Sequence, residues 1–255
     1  MNIRNLLINL VRLLFYAGII AGVYMLAKSC SNADEPNAEI PAKPCNIDTT
    51  NITWYSNDTT ITEFTISTAK GLIEFAELAN CGNNFHGKTV KLGANIMLND
   101  TANWRNWKNK PPANEWEPID YFDGTFYGKG YVIGGVYINS LYNRQGLFKT
   151  INGTVKNLGV VASYIKGKNY VGGLAGINSG AISDSYFIGT IIGENRVGGL
   201  VGGNGGKIVD SYFIGDVTGS GNVGGLMGGS ARKIINSYSK GTVTVYHDIS
   251  KTPYP

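Results

Sequence analysis

Two aspartates and one asparagine recur at a fixed interval in the second half of the chain. Asp184, Asp210 and Asn236 stand 26 residues apart, and Asn157 precedes the series. Carboxylates gathered on one surface can hold a cation, or can act as the acid and base that cleave a polysaccharide. Two carboxylates and one amide are too few ligands for a calcium site, so we predict neither a metal nor a cofactor. Backbone donors or solvent at a bend should offset the repulsion between stacked carboxylates.

The histidines and the other acidic residues do not suggest a catalytic set. The two histidines, His86 and His247, are distant in the sequence, and His86 lies in the turn-like NNFHGK, where a surface position is expected. The string VGGLVGGNGG (197–206) contains G-x-G spacings, but no helix follows it, which argues against phosphate binding. The sequence therefore predicts a protein without enzymatic activity. A polysaccharide-active β-helix enzyme, lyase or hydrolase, is the alternative.

A polar segment rich in tryptophan offers the best candidate for ligand binding. NDTANWRNWKNKPPANEWEPI (99–119) places Trp104 and Trp107 three residues apart, beside Arg105 and Lys108. Exposed indole rings next to hydrogen-bonding side chains can stack on sugars. The alternative is that both rings fold back and cover the body of the protein.

The first 30 residues resemble an export signal. Arg4 and Arg12 precede an uncharged run, residues 13–27. This run is shorter than the roughly 20 residues of a membrane-spanning helix. Cys30 follows a small residue, as at a bacterial lipoprotein cleavage site, although Lys28 departs from that pattern. We predict that Cys30 is lipid-modified and that the protein is exported to the cell envelope as a lipoprotein of the outer membrane or cell surface. The alternative is an uncleaved signal anchor in the inner membrane.

Residues 31–61 resemble a disordered tether, because SNADEPNAEIPAKP is rich in proline and offers little to bury. Cys45 and Cys81 could form one disulfide in an oxidising compartment, or could remain two independent thiols. The formal charge of +4 largely belongs to the leader, whose basic residues are Arg4, Arg12 and Lys28. A near-neutral body gives no reason to expect nucleic acid as a partner.

The aspartates and aromatic residues are embedded in a repeat. Segments 171–196, 197–222 and 223–248 follow one another without insertion; the first two agree at 15 positions and the last two at 13. Each contains short runs of strand-forming residues separated by Gly, Asn and Ser, which excludes a helical repeat. We predict an all-β fold, a parallel β-solenoid of about 26-residue coils spaced about 4.8 Å apart.

Stacking at this period predicts ladders of equivalent residues. Glycine should provide positive φ angles at the corners and allow close backbone approach. The predicted apolar ladders are Val171/Val197/Val223, Leu174/Leu200/Leu226, Ile182/Ile208/Ile234 and Ile191/Val217/Val243.

The repeated strings also resemble a known family. GGLAG (172–176), GGLVG (198–202) and GGLMG (224–228) are followed by ISDSY, IVDSY and IINSY, a pattern similar to the GLUG motif. The resemblance extends upstream through 66–98, 115–119 and 122–138, and 145–167 is similar to a degenerate first coil. The family implies a structural unit found in many secreted proteins, including immunoglobulin-cleaving metallopeptidases. Their zinc motif His-Glu-x-x-His is absent here, so no peptidase activity is implied.

The ends of such a solenoid need protection from edge-to-edge association. Residues 67–82 predict an amphipathic helix that caps the first coil, whereas the last coil lacks an equivalent and could associate end to end with another copy. We divide the chain into a leader (1–30), a tether (31–61), an N-terminal cap with the coils that lead into the repeats (62–145), and GLUG-type coils (146–255).

These observations predict a non-enzymatic bacterial cell-surface protein with an adhesive or structural role. Its partner would be an extracellular glycan or a surface protein held on one side of the solenoid, and the leader would attach it to the membrane by a lipid or an anchor. A passive surface spacer is a further alternative.

Overall fold

The computed structural model describes residue 45 and residues 47–229 and 232–246. This part of the chain forms a parallel β-solenoid with one α-helix near its start. The helix, α1, spans Ala69–Asn80, and 3-10 turns occupy Thr49–Asn51 and Trp104–Asn106. The strands are β1 (Glu63–Ile66), β2 (Thr89–Leu92), β3 (Ile96–Met97), β4 (Ile119–Phe122), β5 (Thr125–Tyr127), β6 (Val132–Gly134), β7 (Tyr137–Asn139), β8 (Phe148–Ile151), β9 (Thr154–Lys156), β10 (Gly159–Lys166), β11 (Asn169–Gly172), β12 (Ala175–Asn178), β13 (Ala181–Ser183), β14 (Tyr186–Ile192), β15 (Asn195–Gly198), β16 (Val201–Asn204), β17 (Lys207–Val209), β18 (Tyr212–Gly219), β19 (Gly221–Gly224), β20 (Met227–Gly229), β21 (Lys233–Ile235) and β22 (Tyr238–Val245).

The strands form four parallel sheets that run along the solenoid. Sheet A has the order β1-β2-β5-β9-β13-β17-β21, and sheet B the order β22-β18-β14-β10-β6-β3, with β7 also paired to β10. Sheet C has the order β20-β16-β12-β8-β4, and sheet D contains β11-β15-β19. Each complete coil therefore contributes one strand to D, C, A and B in turn, which confirms the predicted fold class.

The coil period is 26 residues in the repeats and longer before them. Ala181, Lys207 and Lys233 pair at intervals of 26, while Thr154 pairs with Ala181 across 27. A register shift between Val160 and Ser163 absorbs the extra residue within β10. Earlier in the chain Thr89 pairs with Thr125, 36 residues away, because the tryptophan-rich segment is inserted between them.

The predicted ladders are present in the structure. Register pairs join Ile182 to Ile208 and Ile208 to Ile234, and the valine and leucine ladders stack in the same way. The members in the first two repeats are fully buried. In the last coil Ile234 and Val243 are 37% and 45% exposed, because no further coil covers them within the described residues.

The roles predicted for glycine are only partly correct. The corners are occupied mainly by other residues in the left-handed region: one corner uses Asn157, Asp184, Asp210 and Asn236, with φ between 46° and 54°. Aspartate and asparagine tolerate this region better than most residues, which explains why they recur there. A second ladder with positive φ contains Arg144, Tyr170, Arg196 and Asn222. Within the repeats, Gly215 and Gly241 have positive φ.

Most repeat glycines instead permit close contact between backbones and rings. A Cβ added to Gly199 would overlap the ring of Phe213 and the carbonyl oxygen of Gly225. A Cβ on Gly198 would overlap backbone atoms of Val201 and Met227, where sheet D lies close to sheet C. The interior is therefore filled by large side chains in some places and by bare backbone in others.

Helix α1 caps the amino-terminal end, as predicted. The Oγ1 atom of Thr68 accepts a hydrogen bond from the backbone N–H of Gly71 at 3.1 Å, and Gly82, with φ 95°, follows the helix. The carboxamide of Asn80 accepts from the backbone N–H of Asp120 at 2.7 Å and donates to the carbonyl of Pro118 at 3.2 Å. Asn80 thus pairs with backbone groups at β4, the first strand of sheet C, which no strand among the described residues covers on this side.

Residues 47–61 correct the prediction of a disordered tether over 31–61. Ile52 is buried, and the ring of Trp54 contacts Phe64 and Phe75 edge-on while its indole N–H donates to Glu74 at 2.9 Å. Cys45 and Cys81 are joined by a disulfide, with Cα atoms 5.4 Å apart. This segment therefore packs against α1 as part of the cap. The rest of the proposed tether, other than Cys45, lies outside the described residues.

Candidate binding surface

The inserted segment covers a flank of the solenoid. Trp107 is 3% exposed and meets the ring of Tyr137 edge-on, 5.8 Å between centroids, while Tyr164 stacks on the same tyrosine at 5.7 Å. Burial raises the pKa of both phenols. Trp104 packs partly buried against this cluster and carries the guanidinium of Arg105 4.6 Å from its ring centre. Trp104 and Trp107 therefore do not form an open platform for stacking on sugars, because Trp107 has no accessible ring face.

Beside this cluster the same insertion encloses an open depression of about 680 Å³. Side-chain amides in its wall form hydrogen bonds to backbone carbonyl groups. Asn99 donates to the carbonyls of Asn114 and Gly135 at 2.8 and 2.9 Å, and Asn114 donates to the carbonyl of Leu98 at 3.1 Å. These asparagines hold the loop in place, and the polar residues Thr101, Asn103 and Lys110 also line the depression.

His86 lies at the surface, as predicted, but it is paired. Its Nδ1 atom is 2.8 Å from a carboxylate oxygen of Asp123, whose other oxygen accepts from Asn152 at 2.7 Å. The hydrogen bond from Asn152, followed by that from His86, lowers the pKa of Asp123. In the part of the chain that the structure describes, no hydroxyl or thiol is hydrogen-bonded to His86. The pair therefore links the corners of neighbouring coils and lacks an associated nucleophile there.

The repeated aspartates stand at exposed corners. Asp184 and Asp210 are solvent-exposed, and the described residues contain no group of three or more potential metal ligands. The serine that follows each aspartate is the residue that sequence reasoning missed. Ser185 accepts through its hydroxyl from the N–H of Leu158 at 3.2 Å and donates to its own neighbour, the carbonyl of Ser183, at 2.7 Å. Ser211 and Ser237 repeat this arrangement.

Two further ladders are structural. Tyr186, Tyr212 and Tyr238 stack with centroids 4.8 and 5.2 Å apart and planes tilted by 2° and 8°. Burial, and then the neighbouring phenols, raise the pKa of Tyr212. Tyr212 is covered on both ring faces by its neighbours, whereas Tyr238, at the end of the stack in the described residues, is 55% exposed. Asn178 and Asn204 are fully buried and bond to each other at 2.7 Å across neighbouring coils.

The outer side of sheet A is a continuous surface of half-buried and exposed side chains that runs over seven strands. Side chains alternate along its strands, with Phe64, Val90, Phe126, Val155, Ile182 and Ile208 directed inward. Their neighbours face outward in two columns and are half-buried or exposed. We call these outward residues the lysine–threonine face: Glu63, Thr89, Thr125, Thr154, Ala181, Lys207 and Lys233 in the first column, and Thr65, Lys91, Tyr127, Lys156, Ser183, Val209 and Ile235 in the second.

This face combines positive charge with a row of hydroxyls. It carries four lysines and one glutamate, and Glu63 is bound by Lys91 at 2.5 Å. The ammonium of Lys156 lies 5.0 Å from the ring centre of Tyr127. Lys207 and Lys233 are exposed and directly opposed on neighbouring strands. The face can therefore bind anionic groups and donate hydrogen bonds from successive strands along the solenoid.

In the described part of the chain, no helix is both long and apolar enough to cross a membrane. Cys30 and the leader lie outside that part, as does His247.

The repeat that the sequence predicts is also found by comparison with known protein families. No curated protein matches the sequence significantly. Among solved structures, the chain is similar to the crystal structure of a "putative immunoglobulin A1 protease" from Bacteroides ovatus, with 17% identity, coverage of 70% of this chain and 67% of that chain, and a TM-score of 0.48. The model of the GLUG motif matches residues 167–192 and 193–218. These two segments are consecutive coils of the solenoid, so the chain is a β-solenoid protein that carries GLUG-motif repeats.

Proposed function

We propose that the chain is a non-enzymatic protein of the bacterial cell surface that binds an extracellular glycan or a surface protein on one side of its solenoid. A GLUG-type β-solenoid is consistent with a surface or secreted protein. The lysine–threonine face is the observation that supports binding, because it continues over seven strands while the inserted segment covers part of sheet B. Stacked strands hold its side chains at fixed positions, which lowers the entropy lost when a ligand binds.

Export and membrane attachment belong to the same proposal. The basic, apolar leader and Cys30 support a lipid anchor, with an uncleaved signal anchor as the alternative. The disulfide between Cys45 and Cys81 supports an oxidising location, because such bonds persist outside the reducing cytosol.

Binding should depend on the threonine hydroxyls of sheet A. Thr125 and Thr154 are direct neighbours on β5 and β9, and their outward side chains are half-buried. Replacing both by isoleucine removes two hydroxyls and preserves the β-branched shape. Since each hydrogen bond contributes about 0.5–1.5 kcal/mol, affinity for the ligand should fall roughly tenfold. The measurement is binding of the full chain to an array of neutral and anionic glycans and matrix proteins, with release of reducing sugar followed in parallel.

The matched control is Thr190→Ile with Thr218→Ile, two outward threonines of sheet B. This control should bind as the unaltered protein does. Equal losses in both pairs would place the ligand elsewhere, and sugar release would favour the β-helix enzyme. Failure to bind any component of the array would favour a passive spacer.

A further inference from the structure

Charge on the lysine–threonine face is distributed along the solenoid axis rather than in one cluster. Lys156 lies on β9, and Lys207 and Lys233 lie on β17 and β21. Because neighbouring strands are about 4.8 Å apart, the first two lysines stand roughly 10 Å apart along the axis. A row of this kind fits a long ligand with repeated charges better than a small anion.

The fold itself gains little from Lys207 and Lys233. Lys207 and Lys233 are register partners, and like charges directly opposite each other destabilise a sheet. In the described residues, no carboxylate lies within 4.0 Å of either ammonium or of Lys156. Asp184 and Asp210 stand beyond the ends of β13 and β17, at the corner toward sheet B. Bound anions would remove the repulsion that the protein leaves in place.

The outward side chains between Lys156 and Lys207 are small, and hydroxyl groups lie on the neighbouring strands of the same face. Ala181 and Ser183 on β13 are small, and they separate Lys156 from Lys207. Thr89, Thr125 and Thr154 continue the first column toward the cap. A polymer lying along the first column would therefore meet threonine hydroxyls, then the small Ala181, and then two ammonium groups. The bulkier side chains of Tyr127, Val209 and Ile235 stand beside this path, in the second column.

We propose that this face binds an anionic polysaccharide, bearing carboxylate or sulfate groups, that runs parallel to the solenoid axis. The inference rests on the proposed binding function and specifies its ligand. Lysine ammonium groups are point charges without a fixed fork geometry, so they accept either group. The extended run of sugars would use the hydroxyl column for neutral contacts.

The test uses the full chain and four probes: polygalacturonate, heparin, neutral dextran and single-stranded DNA. The first two should bind, with affinity that falls as salt concentration rises. The stronger of the two identifies the carboxylate or the sulfate as the preferred group. Lys207→Gln with Lys233→Gln should weaken this binding at least tenfold and reduce its dependence on salt.

The matched control removes the same charge elsewhere. Lys108 lies in the insertion and Lys240 on sheet B, both exposed; their replacement by glutamine should change affinity by less than twofold. The melting temperature of the Lys207/Lys233 variant should stay the same or rise, whereas a structural role would lower it. Equal losses in both variants would overturn the proposal, as would tighter binding of DNA than of either glycan. Salt-independent binding of dextran would overturn it while preserving the proposed binding function, and failure of every probe would argue against both.

Discussion

At the scale of single residues, the four specified positions of the motif Ile-x-Asp/Asn-Ser-Tyr have different structural roles. In the second repeat Ile208 is buried, Asp210 turns the corner with φ 47°, and the hydroxyl of Ser211 bonds two successive coils. Tyr212 then stacks outside the sheet on Tyr186. The motif is therefore a complete corner, which explains why it repeats as a unit.

Gly199 and Gly221 test the role of close backbone approach. A Cβ on Gly199 would overlap Phe213 and the backbone of Gly225, whereas the nearest atom to a Cβ on Gly221 is Oδ1 of Asn195 at 3.3 Å. Gly199→Ala should therefore lower the free energy of unfolding by about 1–3 kcal/mol, because the added methyl group would overpack a filled interior. Gly221→Ala should change it by less than about 1 kcal/mol. Urea unfolding curves measure both; similar small effects would contradict the observed stacking.

Some residue roles could be predicted from sequence and others could not. The apolar ladders followed directly from the period, because equivalent positions in a stack must meet. The left-handed corners were assigned to glycine, although aspartate and asparagine adopt that region through their short polar side chains. The buried serines and asparagines were missed, because their hydrogen bonds depend on the exact offset between coils.

At the scale of elements, the amino-terminal cap was predicted in part. Helix α1 is visible in the spacing of Leu72, Phe75, Ala76 and Ala79, all of which are buried. The contribution of residues 47–61 was not visible, because Trp54 and Tyr55 stand alone in a polar sequence without periodicity. Their contacts are with residues far along the chain, such as Glu74 and Asn83.

Asn80 should matter because it satisfies backbone groups at the exposed start of sheet C. Asn80→Ala removes one acceptor and one donor, so the unfolding free energy should fall by about 1–3 kcal/mol. Asn103→Ala, at an exposed position without a side-chain cap bond, is the control and should have little effect. Hydrogen exchange at Asp120 should accelerate in the first variant alone. An unchanged exchange rate there would mean that the cap does not protect this strand.

At the scale of the whole molecule, stability should decrease toward the last coil. Leu174 and Leu200 are fully buried between coils, whereas Leu226 is only partly buried. Leu200→Ala should lower the unfolding free energy by about 2–5 kcal/mol, the usual range when a buried leucine leaves a cavity. Leu226→Ala should have a smaller effect because the end coil can fray. Leu174→Ala is the control and should match Leu200→Ala; equal, small effects at all three would contradict the predicted register.

The repeat period of the last three coils also sets how this protein can change in length. Consecutive coils are joined residue by residue at intervals of 26, without insertions. Unequal recombination between neighbouring repeats would therefore add or delete a whole coil and leave every ladder in register. The solenoid would grow or shrink in steps of about 4.8 Å, and each added coil would bring its own outward residues. The number of coils thus sets the length of the solenoid, whereas the outward residues of each coil set its surface chemistry.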